Sequence, residues 1–139
     1  MDGGLLTLLL GVLIIGAMLI VVMALTKKGA APLDVAKYRS KWLTIEMQLK
    51  RDEQASYHLT VLNADKLVDQ ALRERGVKGT TMGERMKAAQ ATWSNANALW
   101  NAHKLRNQIA HESDIHVQYD DARRALGGFK QALKDIGAI

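Results

Sequence analysis

The chain has 139 residues, no cysteine, and a formal charge of +5 from 19 basic and 14 acidic side chains. The length allows one domain plus an accessory segment, and the lack of cysteine excludes disulfides, thiolate metal sites and a cysteine nucleophile. From Asp34 onward 17 basic and 13 acidic residues are interleaved, so the charge permits an anionic partner without demanding one.

The first element, Leu5 to Leu25, is 21 residues without a charge and with a single hydroxyl, Thr7. At about 1.5 Å per residue it spans the roughly 30 Å of a bilayer's hydrocarbon core. Asp2 precedes it and Lys27-Lys28 follow it. That order is the reverse of a secretory signal, whose basic region comes first. The positive-inside rule places Lys27-Lys28 in the cytoplasm, which leaves Met1–Gly4 outside and the rest of the chain inside a cell (inner) membrane. Gly11 and Gly16 are five apart and do not form a close-packing GxxxG pair. The expected organisation is a transmembrane anchor over 1–26, a linker over 27–33 containing Gly29-Ala30-Ala31-Pro32, and a helical domain over 34–139.

Pro32 stops a continuous helix and Asp34 is a candidate N-cap. Tyr38, Trp42, Ile45 and Leu49, and then Leu59, Leu62, Ala64, Leu67, Val68, Ala71 and Leu72, recur at helical spacing. The polar interval around Arg51–Ser56 makes this either two helices or one kinked helix. Gly76-Val77-Lys78-Gly79 ends the run, and Thr81-Met82-Gly83-Glu84 matches the capping box that opens the next helix. These glycines lack the GxxxxGK[ST] and GxGxxG spacings of phosphate loops. Ser94 is the expected cap of a helix over Ala96–His111. A last helix from Asp120 aligns Ala122, Leu126, Phe129, Leu133 and Ile136, and Gly127-Gly128 within it points to close helix contact. No stretch alternates with a period of two, so the fold class is all-α: one transmembrane helix and a four- or five-helix bundle. Methionines and tryptophans at helical spacing are expected in its core.

Chemistry-bearing side chains are densest between Asn101 and Glu112, where His103, Asn107 and His111 recur every four residues along one helix face. His111 and His116 are five apart and so miss HExxH, no third ligand accompanies His103 and His111, and no GxSxG is present. No metal and no cofactor are therefore expected. An imidazole that moves protons beside a permanently charged guanidinium suits metal-free work on phosphodiesters.

The stretch Leu105 to His111, LRNQIAH, resembles the RN-x-x-x-H form of the motif of HEPN (higher eukaryote and prokaryote nucleotide-binding) domains. Arg106, Asn107 and His111 match its arginine, the polar residue after it and its histidine. A second Arg-to-His pattern, Arg51 to His58, lies at the suspected helix break and lacks these neighbours. The resemblance covers about 34–139 and extends to ADKLVDQALRERG and GTTMGER. It implies a helical bundle whose motifs meet across a homodimer cleft and cut RNA without metal. His111 is then the general acid/base, Arg106 the phosphate-stabilising cation and Asn107 an orienting group, with His103 and Lys104 accessory on the same helix. The second function implied is a non-catalytic dimerisation module, or one that binds nucleotide or protein, at the cytoplasmic membrane face. A tethered structural bundle with no ligand is the third.

Five residues on a regular helix turn Arg106 and His111 about 140° apart, so one chain does not easily bring both to one phosphate. Either the helix ends near Ala110 or two chains share the site. A structural reading also remains, in which His111 caps terminal carbonyls and Arg106 pairs with Glu112 or Asp114.

Overall fold

The computed structural model describes residues 3–26 and 30–139, and every regular element among them is helical. The chain divides into two compact units, Met1–Ala31 and Pro32–Ile139. Lys27-Lys28, on which the expected orientation depends, lie outside the described residues.

The first unit contains α1, Gly3–Thr26. Its Gly3–Leu25 stretch has a mean hydropathy of 3.1, none of it buried, and is long and apolar enough to cross a membrane. With apolar residues on all sides it has no polar face to turn to water. Its hydroxyl is also consistent with an apolar medium, because Thr7 Oγ1 donates back to the carbonyls of Gly3 and Gly4 at 3.1 and 2.9 Å.

The second unit is a bundle of five helices, α2 (Val35–Gln48), α3 (Gln54–Glu74), α4 (Met82–Ala88), α5 (Ala96–His111) and α6 (Tyr119–Asp135), with a 3₁₀ turn at Gln90–Thr92. Asp34 caps α2 by accepting from Lys37 N at 3.0 Å. The expected ambiguity over 35–75 resolves into two helices. At the break, the Ser56 hydroxyl accepts from Lys50 N at 3.0 Å, the Tyr57 hydroxyl accepts from Asp52 N at 3.0 Å, and Asp52 adopts φ 70°. These bonds satisfy amides that a continuous helix would have used internally.

The long α3 is the central strut, packed against α2, α4, α5 and α6, while α6 also lies along α5. Lys37 reaches Glu74 at 3.1 Å and Asn63 donates to Gln48 at 3.1 Å, so α2 and α3 run antiparallel. The contacts of His103 with Asp65 and of His116, in the segment after α5, with Gln54 show that the chain runs back along α3 in the antiparallel sense. Tyr38, Trp42, Val61, Val68, Leu72, Met86, Leu99, Phe129 and Leu133 are buried together, each large apolar side chain contributing roughly 1.5–3 kcal/mol. The whole α6 face read from the sequence is buried, Ile136 included.

Four expectations need correction or narrowing. Leu59 is half exposed because it lies on the outer side of α3, and Met47 and Trp100 are exposed although the remaining bundle methionines and tryptophans are buried. Asn95, not Ser94, caps α5, accepting from Ala98 N at 3.1 Å. Ser94 instead ties the entry of α5 to the end of α6, donating from N and Oγ to Asp135 at 2.9 Å each. Of the paired glycines only Gly128 makes a close approach: a Cβ there would meet the Ala98 carbonyl oxygen at 2.7 Å, whereas one at Gly127 would meet nothing within 4 Å.

Candidate functional site

Two aspartates one turn apart on α3, Asp65 and Asp69, form the floor of a cleft of about 650 Å³ walled by α5 and by the start of α4. Asp65 is only 3% exposed and sits among the apolar residues Ala64, Leu67 and Val68. A carboxylate buried this deeply needs cationic or hydrogen-bonding partners. It has two, both from α5. His103 Nδ1 donates to Asp65 Oδ1 at 2.7 Å, and the Arg106 Nε lies 3.2 Å from Asp65 Oδ2 as an ion pair. Arg106 Nη1 also donates to Asn107 Oδ1 at 2.8 Å, which couples the two neighbouring side chains of the motif.

Asp69 is held similarly from the other wall. Arg85, 7% exposed, donates from Nε to Asp69 Oδ1 at 2.8 Å and from Nη1 to the Gly79 carbonyl at 2.6 Å. Gly79 has φ 148°, and a Cβ there would lie 2.8 Å from Arg85 N, so glycine is what lets this turn close over the arginine. The expected capping box is present: Thr81 Oγ1 accepts from Glu84 N at 3.2 Å, and the Glu84 carboxylate accepts from Thr80 N and Thr80 Oγ1 at 2.6 and 2.7 Å. The backbone N–H of Thr80, then its hydroxyl and the N–H of Thr81, hold the Glu84 carboxyl below its ordinary value. This fixes the rim of the cleft at the start of α4.

Arg106, Asn107 and His103 are thus brought together, and Lys66 and Arg85 line the same cleft. His111 and Lys104 are not brought in. Both are exposed; His111 is the last residue of α5, outside the cleft lining, and Lys104 points to the outer face. The helix ends at His111, near Ala110 as expected, but His111 is still its last helical residue, so Arg106 and His111 diverge as on a regular helix. Arg106 pairs with Asp65, and neither Glu112 nor Asp114 is its partner.

Asp65 is the component that sequence reasoning missed. Its signal was an aspartate at i, i+4 from another, interrupting the apolar face formed by Ala64, Leu67 and Val68.

The arrangement can neutralise and orient an anion. Lys66, Arg85 and Arg106 outnumber Asp65 and Asp69 in the cleft, and an imidazole with one nitrogen anchored is available for proton transfer. Among the described residues no three His, Asp or Glu side chains come together as a metal-ligand group. Compared with known proteins, the chain matches no family model, no curated protein and no solved structure.

Proposed function

We propose that the chain is a membrane-anchored, HEPN-like endoribonuclease that works without metal, with its helical unit on the cytoplasmic face and its site completed in a homodimer. The observation that carries this reading is the convergence of Arg106, Asn107 and His103 on one cleft, with Arg106 held by the buried Asp65. A guanidinium fixed in this way is preorganised to meet the charge that develops on a phosphodiester, an effect that needs no reorganisation during the reaction. His111 stands ready at the exposed end of α5, where a second copy can present it to the cleft or receive it. The candidate membrane helix and Lys27-Lys28 support the anchor and its orientation.

The test is incubation of the helical unit with mixed RNA in EDTA, followed by analysis of the new ends. The expected products carry 2′,3′-cyclic or 3′-phosphate ends, and Arg106→Ala or His111→Ala removes them while helicity is unchanged. Equal cleavage by both variants contradicts the assignment.

One observation favours a second reading. Arg106 is engaged with Asp65 and Asn107, and His103 with Asp65, an arrangement that suits a structural tie between α3 and α5 in a non-catalytic dimerisation or binding module. That module would leave RNA uncut while forming dimers or binding nucleotide or protein through the same cleft.

A further inference from the structure

His103 does not belong to the RN-x-x-x-H pattern, yet it is the only histidine among the lining residues of the cleft. Its Nδ1 is committed to Asp65 at 2.7 Å. A carboxylate only accepts hydrogen bonds, so Nδ1 carries the proton and Nε2 is the nitrogen left for exchange. The ring is further oriented by Trp100, edge to face at 6.3 Å between centroids. Across from Nε2 stands Gly83: a Cβ there would lie 3.8 Å from Nε2, so this part of α4 presents backbone and no side chain to the imidazole. A buried carboxylate, and a largely buried imidazole with one nitrogen anchored and the other facing a glycine backbone at the cleft, together form the base-orienting half of a catalytic dyad.

We propose that His103, positioned by Asp65, is the proton acceptor of the cleft, acting beside Arg106 on the ribose 2′-hydroxyl of bound RNA; this rests on the ribonuclease reading above. In the step, the 2′-O–H proton passes to His103 Nε2 as the 2′ oxygen forms its bond to phosphorus. The bond from phosphorus to the 5′ oxygen breaks with its electron pair, and that oxygen takes a proton from His111 of the second copy, which solvent then replaces. The products are a 2′,3′-cyclic phosphate and a 5′-hydroxyl, and the imidazolium then returns its proton to solvent. Asp65 stabilises the imidazolium and fixes the ring without touching RNA. The charged groups around the imidazole are Asp65, Lys66 and Asp69 from α3, Arg85 from α4 and Arg106 from α5.

The decisive variant is His103→Asn in the full-length protein in detergent micelles, with cleavage of an RNA oligonucleotide followed in EDTA. The introduced amide can still donate to Asp65 from nearly the position of Nδ1, but it has no Nε2. The inference predicts unchanged helicity with cleavage reduced about 10²- to 10⁴-fold, the usual contribution of a general base. Gly83→Ala, whose Cβ would lie 3.8 Å from Nε2 at ordinary contact, narrows the approach to that nitrogen and is expected to reduce cleavage as well. Asp65→Asn keeps an acceptor for Nδ1–H but removes the charge that stabilises the imidazolium, and is expected to lower kcat while KM for the oligonucleotide stays unchanged. A wild type that cleaves RNA beside a His103→Asn variant with undiminished rate overturns the role of His103 alone. A wild type inert toward RNA overturns both this inference and the ribonuclease reading.

Discussion

Gly128→Ala and Gly127→Ala are adjacent substitutions of identical chemistry in α6, and opposite outcomes are expected. At Gly128 the new Cβ would sit 2.7 Å from the carbonyl oxygen and 3.0 Å from the carbonyl carbon of Ala98, both backbone atoms of α5. A backbone atom cannot swing aside as a side chain can, so α5 and α6 must separate by roughly 0.7 Å to reach an ordinary contact of 3.4 Å. Overpacking of this kind costs about 1–3 kcal/mol, partly offset by the ~0.5–1 kcal/mol that alanine gains over glycine within a helix. At Gly127 nothing lies within 4 Å, and the helical gain remains unopposed. For a domain of this size 1 kcal/mol moves Tm by roughly 4–8 °C. Gly128→Ala thus has a net cost of about 0–2.5 kcal/mol and should lower Tm by up to ~20 °C, while Gly127→Ala should raise it by a few degrees, as read by circular dichroism on residues 32–139, which contain the whole bundle core. A Gly128→Ala protein that melts at or above Gly127→Ala refutes the claim that backbone contact sets the spacing of α5 and α6.

Asp65→Ala leaves His103 and Arg106 without their shared carboxylate. It should cost about 2–4 kcal/mol in urea unfolding, less than a fully buried pair because the Arg106 side chain is 35% exposed; a loss below ~0.5 kcal/mol would show that the pair does not hold α5 on α3. The Glu74 carboxyl is brought down to about 2 from 4.5, chiefly by the Gln70 hydrogen bond at 2.9 Å and also by the Lys37 ammonium at 3.1 Å. Its pKa is lower folded than unfolded, so the stability it contributes is complete above about pH 4.5 and is lost as pH falls towards 2. Wild type should therefore be more stable than Glu74→Gln at pH 7, with the gap closing across that window; a pH-independent gap contradicts the assignment.

Local signals translated well from sequence to structure, and distant pairings did not. Asp34 and the Thr81–Glu84 box were legible because an N-cap acts on amides within three residues. The break at Arg51–Ser56 was ambiguous because its positive φ falls on Asp52, with no glycine or proline to mark it. Ser94 looked like a cap by residue type, yet its oxygen is taken by Asp135, 41 positions away. In the site, Arg106 and Asn107 stood out as a motif, and the helical angle already separated them from His111. Asp65 lies 38 residues from His103 in sequence, within an apolar stripe, so its partners are not local, although a carboxylate in such a stripe is the kind of residue that requires one. His103, an accessory group in the motif's terms, is the histidine that the fold turns into the cleft.

Whether RNA binds in the proposed cleft around Arg106 is tested by mapping where it sits on the helical unit. Residues 32–139, isotope-labelled, would be titrated with a short 2′-O-methyl oligonucleotide that cannot be cut, while NMR shifts are followed residue by residue. The largest changes are expected on Lys66, Arg85, His103, Arg106 and Asn107, and Arg106→Ala should abolish them. Changes confined to the other cationic surface, where Arg51 lies 4.7 Å over the Tyr119 ring with Arg123 at 6.0 Å, would contradict binding in the cleft.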